Sequence, residues 1–305
     1  MTGEIFYWVL NVSILGSAAG IIVLLIRRVR SLPRFAIYLL WALPLIRLWM
    51  PAGLANKYSL LNFVSKYATK TIVVWEPGPG LPELTMTNSL QAATSYFPIE
   101  YKTNLLESIF SAAGMAWMIV AAAALLCSVL LYFLTKSALK GIVHVEGNIY
   151  RSDKVLSPAV YGVIRPKIIL TADIAGADME HAIAHERTHI RRRDNLWRVI
   201  AVFTACVHWF NPLAWIFIRC FFTDMELACD AGVLKSLDGD GKKEYSLALL
   251  SISSGKTYYA SAFGGAKTRL RIENILSYKK LTLISGICLT ALFIAITVTL
   301  ITNAA

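Results

Sequence analysis

The sequence predicts a mainly α-helical membrane protein that carries one polar α+β domain between its last two membrane helices. Three observations predict it. Hydrophobic residues make up 56% of the 305-residue chain, against about 45–50% in an ordinary soluble domain. The excess is gathered in four apolar blocks instead of being spread evenly. Between the third and fourth blocks, residues 136–280 are polar, and they hold the run His185-Glu186-Arg187-Thr188-His189.

The net charge of +11 does not select nucleic acid. A nucleic-acid binder needs a basic face with recognition chemistry. None is evident, so no direct nucleic-acid partner is expected. Lys and Arg crowded into cytoplasmic links explain the charge through the positive-inside rule. The cysteines are Cys127, Cys206, Cys220, Cys229 and Cys288, and no two form a C-x-x-C pair. They offer neither a disulfide framework nor a cysteine-based zinc site.

The first apolar block covers residues 5–26, and about 20 apolar residues cross a bilayer. Arg27, Arg28 and Arg30 follow it, with no small-residue cleavage site. A signal peptide carries its charge before the apolar region, so the block reads as a retained transmembrane helix. The second block, 35–50, is closed by Pro51 and has Arg47 near its far end, where it can snorkel to the headgroups. The basic link between these blocks places the N-terminus outside. Residues 52–108 then form a polar loop on the outer face, with the turn signal Pro77-Gly78-Pro79-Gly80. A lid, a sensor contact and a plain connector all remain open for it.

The third block, 109–134, returns the chain to the cytoplasm, and the last leaves again within 281–305. The expected organisation is therefore a membrane region over 1–135, a cytoplasmic domain over 136–280 and a C-terminal transmembrane helix over 281–305. Four spans put both termini outside and make membrane lipid a partner.

Inside the polar region, 143–154 and 159–170 read as strands, broken by Ser157-Pro158 and Arg165-Pro166. The strand ending at Leu170 is the expected edge for an extended substrate. A helix should start at Asp178 as N-cap and carry His181, His185 and His189. Residues 196–222 are apolar again, with Trp197, Trp209 and Trp215 suited to a membrane interface. Spanning there would put Glu226 across the membrane from His185. The run is therefore expected to be non-spanning or re-entrant.

Two histidines four apart share one helical face and can hold one Zn²⁺ from the same side. Glu186 between them is the general base that metal-dependent hydrolysis needs. A catalytic zinc wants a third protein ligand and one open position, and Glu226 is the candidate. Asp230 lies four residues later on the same face, where it can orient a zinc-binding imidazole. Asp194 either fixes such an imidazole or pairs with a neighbouring Arg. His181 reads as a polar neighbour. His208 could reach a substrate oxyanion, although a core or interfacial histidine is the simpler reading. The bland alternatives are a pair of polar residues on a helix, a solvated Glu226 and an Asp230 in a cap or salt bridge. The joint pattern favours a gluzincin-like zinc metalloprotease domain.

Four stretches carry a family resemblance. They are Ser157-Pro158-Ala159-Val160-Tyr161-Gly162-Val163-Ile164-Arg165-Pro166, then His185 to His189 running into Ile190-Arg191-Arg192-Arg193-Asp194, then Asn211-Pro212-Leu213-Ala214-Trp215, and Glu226-Leu227-Ala228-Cys229-Asp230. With them the chain resembles the BlaR/MecR family of membrane zinc proteases. The resemblance implies that a signal sensed outside activates the cytoplasmic protease. The protease then cuts itself and brings about cleavage of a cytoplasmic transcriptional repressor. By matching positions, His185, His189 and Glu226 bind zinc and Glu186 is the base. Self-cleavage is expected next to Ala262 and Phe263.

The β-lactam sensors continue past the last span into a penicillin-binding domain, whereas this sequence stops at Ala305. The extracellular sensor is therefore unassigned, and a homodimer is allowed. Two other readings compete. One is a quality-control protease similar to the HtpX/Ste24 group, against which Ser157 to Pro166 argues. The other is a non-catalytic receptor or scaffold keeping a structural metal, against which Glu186 argues.

Overall fold

The computed structural model describes residues 2–29, 32–50, 56–59, 104–139, 141–254, 268–278 and 283–301. These residues are mostly helical, with one small sheet. Helix α1 (Thr2–Ile26) and α4 (Asn104–Ala138), the longest helix among the described residues, are long and apolar enough to cross a membrane. At 35 residues α4 is about 50 Å long, more than the roughly 30 Å hydrocarbon core. Gly3 and Gly114 bring the backbones of α1 and α4 together. A Cβ on Gly114 would lie 2.6 Å from the Thr2 carbonyl oxygen. Small residues at such crossings are how apolar helices approach closely.

The second apolar block is not one helix. It forms α2 (Arg34–Leu40) and α3 (Ala42–Trp49), broken at Trp41. Pro44 explains the break. It has no N–H to give to the carbonyl of Leu40, four residues back, and its ring crowds that carbonyl. The last helix, α10 (Leu283–Ile301), contains a shorter apolar stretch, Ser285–Ile301.

The sheet has the order β1-β2-β4-β3. Its strands are β1 (Val143–Glu146), β2 (Ile149–Ser152), β3 (Ala159–Tyr161) and β4 (Lys167–Thr171). Residues 143–154 are thus a hairpin, with Gly147 at φ +53° in its turn. Strand β4 pairs parallel with β2 and antiparallel with β3. Both its ladders are occupied, which corrects the expectation that the strand ending at Leu170 is an edge. The outer edge on that side belongs to β3. Ile168 and Leu170 pack with Ile149, Val160, Ile174 and Ala182, seating the sheet on the next helix.

That helix is α5 (Gly176–Arg192). Its N-cap is Ala175, and Asp178 sits in the first turn instead of capping it. Arg193 follows in the left-handed region at φ 57° and ψ 37°, and α6 (Asp194–Val207) starts at once. Helix α7 (Pro212–Leu234) leaves a corner at 208–211. There the Asn211 side chain accepts the Leu213 N–H and Pro212 occupies the first turn. The run 196–222 is therefore two helices joined at a corner. Helices α8 (Gly239–Ser254) and α9 (Thr268–Leu276) complete the polar region. One apolar core joins Val23 of α1, Tyr38 of α2 and Trp41 to Phe217, Phe221 and Met225 of α7.

Candidate metal centre

Helix α5 presents His185 and His189 one turn apart, and α7 presents Glu226 to them. The two Nε2 atoms are 3.1 Å apart. Glu226 Oε2 lies 3.4 Å from His185 Nε2 and 3.7 Å from His189 Nε2. Donors about 2.0–2.1 Å from a tetrahedral zinc are about 3.3 Å from one another. The triangle has the size that such an ion needs. Cys229 Sγ also falls within 4.8 Å of the histidine donor atoms. Its S–H, however, is directed to the His185 carbonyl at 3.3 Å. Glu226 faces both imidazoles, and its other oxygen accepts from Arg198 Nη2 at 2.7 Å. Of the two, Glu226 has the better geometry for a third ligand.

The field there is negative. Burial by itself lowers the pKa of both histidines, yet both lie well above the ordinary value. Cys229 in its thiolate form raises each, helped by Asp230 at His185, where Arg271 opposes it, and by Glu226 and Asp194 at His189. Burial pushes the Glu226 carboxyl up, but His189, His185 and Arg198 outweigh it and hold Glu226 well below the usual carboxylate range.

Each imidazole is fixed through its other nitrogen. His189 Nδ1 is 2.6 Å from Asp194 Oδ2, so its Nδ1–H donates there and Nε2 faces the centre. His185 Nδ1 is 2.8 Å from the Tyr245 hydroxyl, which donates onward to Asp230 Oδ1 at 2.7 Å. Asp230 Oδ1 is itself 3.3 Å from His185 Nδ1. Arg271 of α9 grips Asp230 in a fork, with Nε to Oδ2 at 2.8 Å and Nη2 to Oδ1 at 2.7 Å. Burial raises the Asp230 carboxyl, but Arg271 and His185 prevail and leave it far below its ordinary value.

Glu186 is buried next to this set. Among the described residues it makes no hydrogen bond or ion pair. Tyr161 on β3 feels its charge: burial and then Glu186 raise the phenol. Asp194 orients His189 while also meeting Arg192 Nε at 3.4 Å, so both sequence alternatives for it hold. His181 lies against the Tyr245 ring, outside the donor set. His208 is buried elsewhere, with Nε2 3.1 Å from the Leu48 carbonyl, which removes it from any oxyanion role. Ala262 and Phe263 lie outside the described residues. Sequence reasoning missed Tyr245, Arg271 and Arg198. Tyr245 and Arg271 come from helices 60 and 86 residues away from His185, where no local spacing signals them.

A sequence model of the family described as BlaR1 peptidase M56 matches residues 7–275. The chain belongs to this family. The match includes every residue of the centre, from His185 to Arg271. M56 peptidases are metal-dependent, and the His, Glu and Cys donors gathered here fit such a requirement. The regulatory protein BlaR1 of Bacillus licheniformis is 35% identical over 127 residues, 41% of this chain and 21% of that protein. The methicillin resistance mecR1 proteins of Staphylococcus aureus and Staphylococcus epidermidis are each 27% identical over 112 residues, 35% of this chain and 19% of theirs. The chain thus spans about a fifth of the length of these curated relatives.

Proposed function

We propose that this M56 chain is a membrane-embedded zinc endopeptidase of gluzincin type that transduces an extracellular signal. Its acts in this reading are self-cleavage beside Ala262 and Phe263 and cleavage of a cytoplasmic transcriptional repressor. The observation that carries the reading is the triangle of His185, His189 and Glu226 donors, 3.1 to 3.7 Å on a side, with Glu186 buried beside it. His185, His189 and Glu226 would hold the zinc ion, which when bound would act as a Lewis acid and lower the pKa of a water towards about 7. Glu186 takes the proton of the attacking water and passes it to the leaving amine. The outer edge of β3 accepts the substrate as an added strand. Asp194 and the Tyr245–Asp230 pair hold the imidazoles in the tautomer that turns Nε2 to the metal.

In this reading the membrane region is 1–135, the protease domain 136–280 and the last helix 281–305. The four crossings are α1, the broken α2–α3 pair, α4 and α10, and both termini are outside. Metal analysis tests the centre. Wild type purified in detergent should carry one zinc per chain, and His189→Ala or Glu226→Ala should lose most of it. A wild type without zinc, or variants that retain it fully, would overturn the assignment.

A further inference from the structure

The hydrogen bonds around His189 do not stop at Asp194. Asp194 is fully buried, and its second oxygen accepts the hydroxyl of Tyr38 at 2.9 Å. Tyr38 belongs to α2, in the membrane region. Its ring is stacked on Phe221 of α7, with centroids 5.5 Å apart, and lies under the Arg192 guanidinium at 4.3 Å. Two buried bonds, Tyr38 to Asp194 and Asp194 to His189, therefore connect a membrane-region helix to a metal-facing imidazole. The same part of the chain grips α7 just before Glu226. Arg27 Nε at 2.7 Å and Trp41 Nε1 at 2.8 Å both donate to Asp224 Oδ2. Both elements that present donors to the centre are thus tied to α2 and its flanks.

We infer that Tyr38 is a positioning residue for His189, acting through Asp194, and that the seating of α2 sets how tightly the centre holds its metal. The inference rests on the metal-centre reading above. Asp194 needs donors on both oxygens to be held still. Among the described residues Tyr38 supplies the hydrogen bond on Oδ1, where Arg192 Nε stands 3.4 Å away as an ion-pair partner only, so a carboxylate that loses Tyr38 is held less firmly against His189 Nδ1. A shift of α2 relative to the start of α6 would lengthen this bond, because Tyr38 Oη reaches Asp194 across that interface.

The test uses the full chain in detergent with zinc affinity read by competition against a chromophoric chelator. Tyr38→Phe keeps the ring stacked on Phe221 and removes only the hydroxyl. Its zinc affinity should fall at least ten-fold, the usual effect of losing an orienting partner. Trp49→Phe is the control. It removes a membrane-region hydrogen bond to Thr204 of α6 at 2.8 Å that leads to no metal-facing group, and its affinity should match wild type. Equal affinity in Tyr38→Phe and wild type overturns the inference, and so does an equal loss in the control. A wild type that takes up no zinc fails the underlying reading instead and is recognised before any variant is compared. Should Tyr38→Phe not fold, wild type decides alone, because coupling is reciprocal. Zinc must then slow amide exchange across residues 36–40, and exchange there that ignores zinc overturns the proposal.

Discussion

Arg271 and Asp230 show how much of the centre's stability is electrostatic. Asp230 is fully buried, and Arg271 supplies two of its donors. Removing one partner of such a pair costs about 3 kcal/mol, so Arg271→Gln should lower the unfolding free energy by about that amount in denaturant titrations. The sign of the pH effect follows from the depressed Asp230 carboxyl. Its contribution is present above the unfolded value of about 3.9 and is lost as pH falls. Arg271→Gln brings that carboxyl back towards its ordinary value. Acid unfolding, followed by near-ultraviolet circular dichroism, should then begin at a higher pH than in wild type. Tyr245→Phe should cost about 1–2 kcal/mol and about ten-fold in zinc affinity, read by the same chelator competition. At this scale the sequence shows the donors on one helical face, because spacing alone decides them. Tyr245 and Arg271 stay invisible, because each arrives from another helix through tertiary packing.

The corner between α5 and α6 is where an element's end shapes the centre. Arg193 holds a left-handed conformation at φ 57°, and this places Asp194 back against His189 only five residues away. Arg193→Gly relieves the side-chain penalty there and should leave folding and zinc content unchanged. Arg193→Val should destabilise by about 2 kcal/mol, since a β-branched residue tolerates that region poorly, and should loosen zinc as Asp194 moves. Thermal melts and metal analysis check both. The elements are only partly legible in sequence. Hydropathy gives the positions of the apolar blocks, but it is blind to Pro44 breaking the second one. The 143–154 run reads as a strand, yet the left-handed Gly147 folds it into a hairpin. That β4 is interior follows from its parallel pairing with β2, a non-local contact that no alternation pattern encodes.

Across the whole molecule, the N-terminal helices α1 and α2 and the helix bearing Glu226 share one core. Phe217, Phe221 and Met225 are buried against Val23, Tyr38 and Trp41. A fragment of residues 136–280 alone would expose those rings to water, so it should be insoluble or bind zinc poorly. Co-expression with residues 1–135 should rescue both properties. The proposed topology is checked with epitope tags. A tag after Ala305 should be reached by antibody on intact cells, and a tag inserted before Gly239 only after permeabilisation. The reverse pattern would invert the reading of which face carries the centre.

The central claim is that Glu186 is the base of a zinc peptidase that cuts its own chain. Wild type and Glu186→Ala, purified in detergent and incubated with zinc, test it through zinc content and intact mass together. The account predicts equal zinc in both and shortening in wild type alone, slowed about a thousand-fold by the substitution, with fragment masses placing the cut beside Phe263. Equal shortening of both chains, or a wild type that stays whole with its zinc bound, would contradict it.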